Sequence, residues 1–172
     1  LGLPDARTLS DLAQTVPDSG GVTFVPALAG LGAPHWNDNV SGTISGMTLG
    51  TTRAHVARAT LDAIALQVAD VFNAMERDID GTLQGLLTDG GASSNDFLMQ
   101  LQSDVLDRPV TRSGQAEVGA MGVAAIALRR LTGTSPVLDA SRTEFAPHPE
   151  MASWRSGITN DWKLLLSMLT KP

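Results

Sequence analysis

Leu86–Gln100 reads LLTDGGASSNDFLMQ. A short apolar run ends in Asp89, Gly90 and Gly91 follow, then Ala92, Ser93 and Ser94, then a stretch with helical spacing. This reads as a strand that turns through two glycines into a capped helix, the corner of an α/β unit. Such a corner can be a tight turn that needs a residue at positive φ. It can also be a place where backbone N–H groups at a helix start meet a ligand, because glycine puts no Cβ in the way. The pattern alone favours the turn and leaves the ligand contact open. It is neither a Walker-type phosphate loop, which needs Gly-Lys-Ser/Thr, nor Gly-x-Gly-x-x-Gly.

Working outward, Leu83–Leu87 is expected as a buried strand and Asn95–Leu106 as a helix capped by Ser93 or Ser94. Leu98, Leu101, Gln102 and Val105 form its inner stripe. Upstream, Val56, Thr60, Ala63, Ile64, Val68, Val71, Phe72 and Met75 recur at steps of three and four. Arg53, Arg58, Asp62, Asp70 and Glu76 lie mostly elsewhere. The spacing predicts an amphipathic helix over His55–Asp78, capped by Thr51 or Thr52 and left at Gly81. Before it come a short helix at about Thr8–Gln14, a strand at Val22–Val25, and a glycine-rich segment whose ISGM (Ile44–Met47) reads as a second short strand. Downstream, Asp107-Arg108-Pro109 breaks the helix, and Val110-Thr111 reads as a strand. A third helix, Glu117–Leu131, is ended by Gly133. The chain to residue 150 reads as loop, with a last helix, Trp162–Leu169, capped by Asn160 or Asp161.

The order is α/β, with too few strands for a complete sheet. The 172 residues suit one domain, 1–172, with an opening helix and loop at 1–21 and a tail with the terminal helix at 134–172. The chain does not start with Met, so either that residue was removed or this is a piece of a longer chain.

Composition narrows the function. Hydrophobic residues at 42% and charged residues at 17% belong to a folded protein rather than a disordered one. A net charge of −6 argues against a general nucleic-acid surface, and Arg129-Arg130 sits at a helix end where it compensates the dipole. With no cysteine, thiolate chemistry and disulfides are excluded, which suits the cytoplasm. His35, His55 and His148 show no ligand spacing, so no metal site is assigned. No apolar stretch is long enough to span a bilayer, and the N-terminus lacks signal-peptide features.

Other candidates have plain structural readings. LGTTRAH (Leu49–His55) is a helix cap rather than a phosphate site. Gly119 and Gly122 sit in a small-residue helix face that expects a close neighbour, first a helix or strand, with a flat ligand such as an adenine ring as the alternative. Trp36 is expected to anchor its loop to the core. Asp89 is the carboxylate next to the glycine corner, but with no partner acid it is not assigned as a base. No catalytic residue is assigned.

Three strings taken in order, VPDSGGVTFVPALAGLGAPHW, GTISGMTLGTTRAHVARATLDAIALQVADVFNAM and LLTDGGASSNDFLMQLQSDVLDRPV, resemble the C-terminal half of the FGGY carbohydrate kinases. The resemblance covers about Val16–Leu131 and, within the family, is greatest to glycerol kinases. It implies a ribonuclease-H-like domain of the actin and hexokinase type, the second half of a two-domain kinase, lacking its first strands. It implies ATP as phosphoryl donor and a polyol or sugar as acceptor. In the family the DGGxxxN stretch meets adenosine, which maps to Gly90, Gly91 and Asn95 here. Mg²⁺ would be held mainly by the absent N-terminal half, which also carries the catalytic base in a Gly-Asp-Gln motif. No such motif occurs here, so the chain alone is expected to be inactive. The alternatives are a kinase for another sugar, such as a pentulose, or a non-catalytic scaffold domain. An assembly of identical chains is expected from the open sheet edge. His35-Trp36-Asn37-Asp38, Val40-Ser41-Gly42 and Gly119 depart from the family's usual residues, which weakens any assignment of the acceptor.

Overall fold

The structure, a computed structural model, describes residues 2–115, 117–136 and 141–170. Its elements are α1 (Ala6–Ala13), β1 (Thr23–Val25), β2 (Thr43–Ser45), α2 (Arg53–Asp78), β3 (Leu86–Thr88), α3 (Asp96–Leu106), β4 (Val110–Ser113), α4 (Val118–Thr132), β5 (Arg142–Phe145) and α5 (Ala152–Leu169). Single 3-10 turns at Gly91–Ser94 and Pro149–Met151 lead into α3 and α5.

Local chemistry starts the helices where side chains can take the free N–H groups. Asp5 accepts from Thr8 N at 2.7 Å, and this bond holds its carboxyl below the ordinary value. Thr52 caps α2 and His55 returns the bond to the Thr52 N–H, a reciprocal pair, so LGTTRAH is a helix start as expected. Gly133, at φ 76°, ends α4.

Helix α2 separates two packed clusters. Ala63, Leu66 and Ala69 meet Val25, Leu31, Val40, Trp162 and Leu165 on one side. Ala57 and Leu61 meet Ala13, Leu98, Leu101 and Val110 on the other. Small side chains let the neighbouring helices approach closely. The expected stripe is therefore only partly the buried one. Ala63 and Phe72 are buried, while Ile64, Val71 and Met75 are exposed. Val68, Val71 and Met75 line an apolar groove of about 380 Å³ that also takes in Leu31, Leu86 and Trp162. On α3 the expected stripe is fully buried, and Gln102 donates to Ala65 O of α2 at 3.1 Å.

β1 and β2 pair antiparallel, Thr23 opposite Ser45. β3, β4 and β5 form a second sheet in that order, β3 and β4 parallel and β4 and β5 antiparallel. β3 is an edge rather than a buried strand, and Leu87 is 72% exposed.

Several expectations are corrected. The segment read as loop to residue 150 contains β5, whose register (Val110 opposite Phe145) is set by β4 rather than by its own polar sequence. The last helix begins at Ala152, ten residues before Trp162, so Asn160 and Asp161 lie inside it. Burial of Trp162, Leu165 and Leu166 outweighs the weak helix propensity of Gly157 and Asn160. No residue of α4 is buried, and nothing lies within 4 Å of a Cβ built on Gly119 or Gly122, so their expected neighbour is not found among the described residues. Trp36 is 79% exposed rather than an anchor. His35 ties the loop down instead, its Nε2 lying 2.8 Å from Asp70 Oδ2, which also accepts from Trp162 Nε1 at 2.8 Å.

Candidate functional site

Because β3 and β4 run parallel, their C-terminal ends emerge on the same edge of the sheet, where open α/β sheets place ligands. Asp89, Gly90 and Gly91 leave β3 there. Gly90 adopts φ 84° and ψ 177°, a conformation essentially confined to glycine. Gly91 opens the 3-10 turn. The turn spends its carbonyls inward: Ser93 Oγ donates to Gly90 O at 2.7 Å and Ser94 Oγ to Gly91 O at 2.7 Å. Among the described residues the N–H groups of Gly90 and Gly91 have no acceptor. Nothing lies within 4 Å of a Cβ built on either glycine. The corner therefore presents two free donors beneath open space, which suits an anion or a flat polar group at close approach.

Asn95, not Ser93 or Ser94, caps α3. The serine hydroxyls are committed to the glycine carbonyls, so the next polar side chain takes the helix. Asn95 Oδ1 accepts from Leu98 N at 3.1 Å and from Ser10 Oγ at 3.2 Å. Both bonds point the carboxamide oxygen inward and leave Nδ2, with its two donor hydrogens, unpaired among the described residues. Ser10 is buried and is itself approached by Gln14 Nε2 at 3.4 Å. The opening helix thus orients a side chain 85 positions away, a link with no trace in local sequence.

Arg112 on β4 braces the same corner. Its Nη1 donates to Ser93 O at 2.9 Å and to Asp96 Oδ1 at 2.6 Å, and its guanidinium lies 5.4 Å from the Phe145 ring centre. Asp89 is exposed and lines a cleft of about 230 Å³ with Thr88, Thr111, Ser113, Val118 and Arg142. No group of three or more His, Asp or Glu side chains among the described residues is disposed to hold a metal. No described helix is long and apolar enough to cross a membrane.

Away from the corner, α2 buries an ion pair that its sequence pattern set apart from the apolar face. Arg58 Nε donates to Asp62 Oδ1 at 2.9 Å and Arg58 Nη1 to Pro17 O at 2.9 Å. The guanidinium sits 5.3 Å from the Phe97 ring centre and 5.4 Å from that of Trp154. Burial pushes the Asp62 carboxyl up to about 6 even though Arg58 pulls it down, and Asp18 adds to the rise. Asp62 Oδ2 and Trp154 Nε1 are buried without a protein partner among the described residues. Both residues line a cavity of about 270 Å³ between α2, α5 and the loop before β1, a polar site with room for ordered water.

Comparison with known proteins follows the same outline. The family model for the FGGY family of carbohydrate kinases, C-terminal domain, matches residues 4–131. A glycerol kinase of Alkalilimnicola ehrlichii is 46% identical over 156 residues, 86% of this chain and 32% of the relative. One of Janthinobacterium is 53% identical over 116 residues, 67% of this chain and 23% of the relative. A crystal structure of Plasmodium falciparum glycerol kinase with ADP superposes with a TM-score of 0.84 at 28% identity, over 99% of this chain and 35% of that one. A xylulose kinase from Rhodospirillum rubrum does so at 0.76 and 27%, over 95% of this chain and 34% of that one. The chain spans about a third or less of the length of these relatives.

Proposed function

Since the chain belongs to the FGGY family of carbohydrate kinases, as a C-terminal domain, we propose that it is the nucleotide-side part of an ATP-dependent glycerol kinase. In the whole enzyme the γ-phosphoryl group of ATP passes to a terminal hydroxyl of glycerol. The bond between that phosphorus and the β,γ-bridging oxygen breaks, a new P–O bond forms, and the hydroxyl proton goes to a base. This chain's share is binding. Gly91 and Gly90 offer backbone N–H groups to the nucleotide, and Asn95 Nδ2 offers its hydrogens to a ring nitrogen of adenine. The observation that carries this reading is the corner itself: a glycine-only conformation, free donors, and open space above both glycines.

Base and Mg²⁺ are assigned to the rest of the polypeptide, because the Gly-Asp-Gln motif that carries the family's base does not occur in this sequence. Catalysis then rests on positioning between two domains, as phosphoryl transfer commonly does. The free edge of β3 is where the sheet would continue into that polypeptide. The acceptor reading rests on the glycerol kinases that are 46% and 53% identical to this chain; between the solved structures, a glycerol kinase at 28% and a xylulose kinase at 27% do not separate the acceptors. A cytoplasmic enzyme and an assembly of identical chains belong to the same proposal.

The test uses the full-length polypeptide. Asn95→Asp keeps an oxygen for the helix cap but replaces the donor group with an acceptor. It is expected to raise KM for ATP roughly tenfold or more, as lost hydrogen bonds of this kind do, with KM for glycerol little changed. Asn95→Ala should raise it too, with some loss of stability from the cap. Unchanged ATP kinetics in both variants would refute the nucleotide role. A panel of polyols and pentuloses decides the acceptor.

A further inference from the structure

We propose that Arg112 is a positioning residue for nucleotide binding, holding the Gly90–Asn95 corner in its donor-presenting shape. The inference rests on the nucleotide reading above and adds a residue outside the strand–glycine–helix stretch. Most supports of the corner are internal to it. Its two serine hydroxyls and the Ser93 and Asn95 N–H groups close the turn on itself, and the Asn95 side chain ties it to α3 and α1. What fixes the turn against the neighbouring strand is one nitrogen of Arg112, which reaches Ser93 O on one side of Asn95 and Asp96 Oδ1 on the other. Those two acceptors bracket the residue whose amide would meet the base.

The energetics favour a geometric role over a general one. Asp96 is largely exposed, its side chain 73% accessible, so this ion pair adds little to global stability. The bond to Ser93 O is different, because it anchors a backbone carbonyl of the turn. The guanidinium also lies against Phe145 of β5, which limits its motion and gives it a fixed direction. Removing Arg112 leaves the turn held by its own bonds and by the Ser10–Asn95 bond, with no tie to β4 among the described residues and with Gly90, a residue of the widest backbone freedom, at its entry. The free N–H groups and Asn95 Nδ2 then sample several directions, and the nucleotide must order them on binding.

The experiment compares wild type, Arg112→Met, Arg112→Lys and Asp96→Asn in the full-length polypeptide. Binding of a non-hydrolysable ATP analogue, KM for ATP and glycerol, and amide hydrogen exchange over Gly90–Asn95 are measured. Arg112→Met removes the guanidinium while keeping a long unbranched side chain, and is expected to weaken analogue binding about tenfold, with glycerol KM within about twofold of wild type. Exchange of the Ser93 and Asn95 N–H groups, which are hydrogen-bonded within the turn, should quicken while α2 is unaffected. Arg112→Lys, a cation without the planar face, should recover part of the affinity. Asp96→Asn removes one leg of the brace and should act in the same direction more weakly, and it serves if Arg112→Met does not fold. Analogue affinity within about twofold of wild type in the folded variants overturns the proposal, as does an equal loss of glycerol affinity. Wild-type protein that fails to bind the analogue overturns the nucleotide reading and this inference with it, a result distinct from wild-type binding that Arg112→Met leaves intact.

Discussion

Asp62→Asn tests how α2 tolerates a charged pair in its buried face. The wild-type carboxyl is raised from 3.8 to about 6, chiefly by burial. Because the folded value is the higher one, the fold prefers the protonated carboxyl. The stability it brings is fully present below 3.8 and is lost as pH rises to about 6. At about 1.4 kcal/mol for each pH unit, ionised Asp62 costs the fold about 3 kcal/mol. Its side chain is only 5% accessible, so solvent does little to screen that cost. Asparagine has nearly the same shape and does not titrate. The stability of Asp62→Asn relative to wild type should therefore climb by about 3 kcal/mol between pH values below 3.8 and above about 6. Urea unfolding of both proteins across that range gives the difference directly, and the other carboxylates cancel. A carbon-detected titration of the Asp62 carboxyl should place its midpoint near 6. A stability difference that stays flat with pH, or a midpoint at or below the ordinary 3.8, would refute the reasoning and mean that Arg58 compensates the buried charge fully.

Two further outcomes follow from the packing. Gly46 has φ +78°, and a Cβ there would run into the Gly21 carbonyl oxygen across the β1–β2 pair. Gly46→Ala should cost about 3 kcal/mol, the sum of left-handed strain and a forced backbone shift, and a denaturation loss below about 1 kcal/mol would count against that geometry. Asp70 Oδ2 serves both His35 and Trp162, so Asp70→Ala should cost about 2 kcal/mol and move the Trp162 indole N–H resonance. An unshifted resonance would mean that the bond is not made in solution.

The strand, the two glycines and the helix after them could be read from residues 86 to 106, because local rules govern them: an apolar run, a conformation only glycine takes, and a 3.6-residue stripe. The same holds for the start of α2 at Thr52 and the end of α4 at Gly133. Other features were legible only in part. Trp154, Ile158, Trp162, Leu165 and Leu169 have helical spacing, yet Gly157 and the Asn160-Asp161 pair look like a break and a cap. The apolar cluster beneath them carries the helix through.

Chemistry written along the chain, then, located the corner and left turn and ligand contact both open; the nucleotide reading of Gly90, Gly91 and Asn95 came from the family resemblance. What it could not supply is what holds the corner. Ser10 orients Asn95 from 85 positions away, Arg112 braces Ser93 from the next strand, and β5 exists because β4 offers it a partner. Arg58 and Asp62 are a surface pair by periodicity and a buried one by packing, because Pro17, Phe97 and Trp154 close over them from three other segments. Each of these depends on loop closure and burial between distant segments, and neither leaves a mark in a window of neighbouring residues.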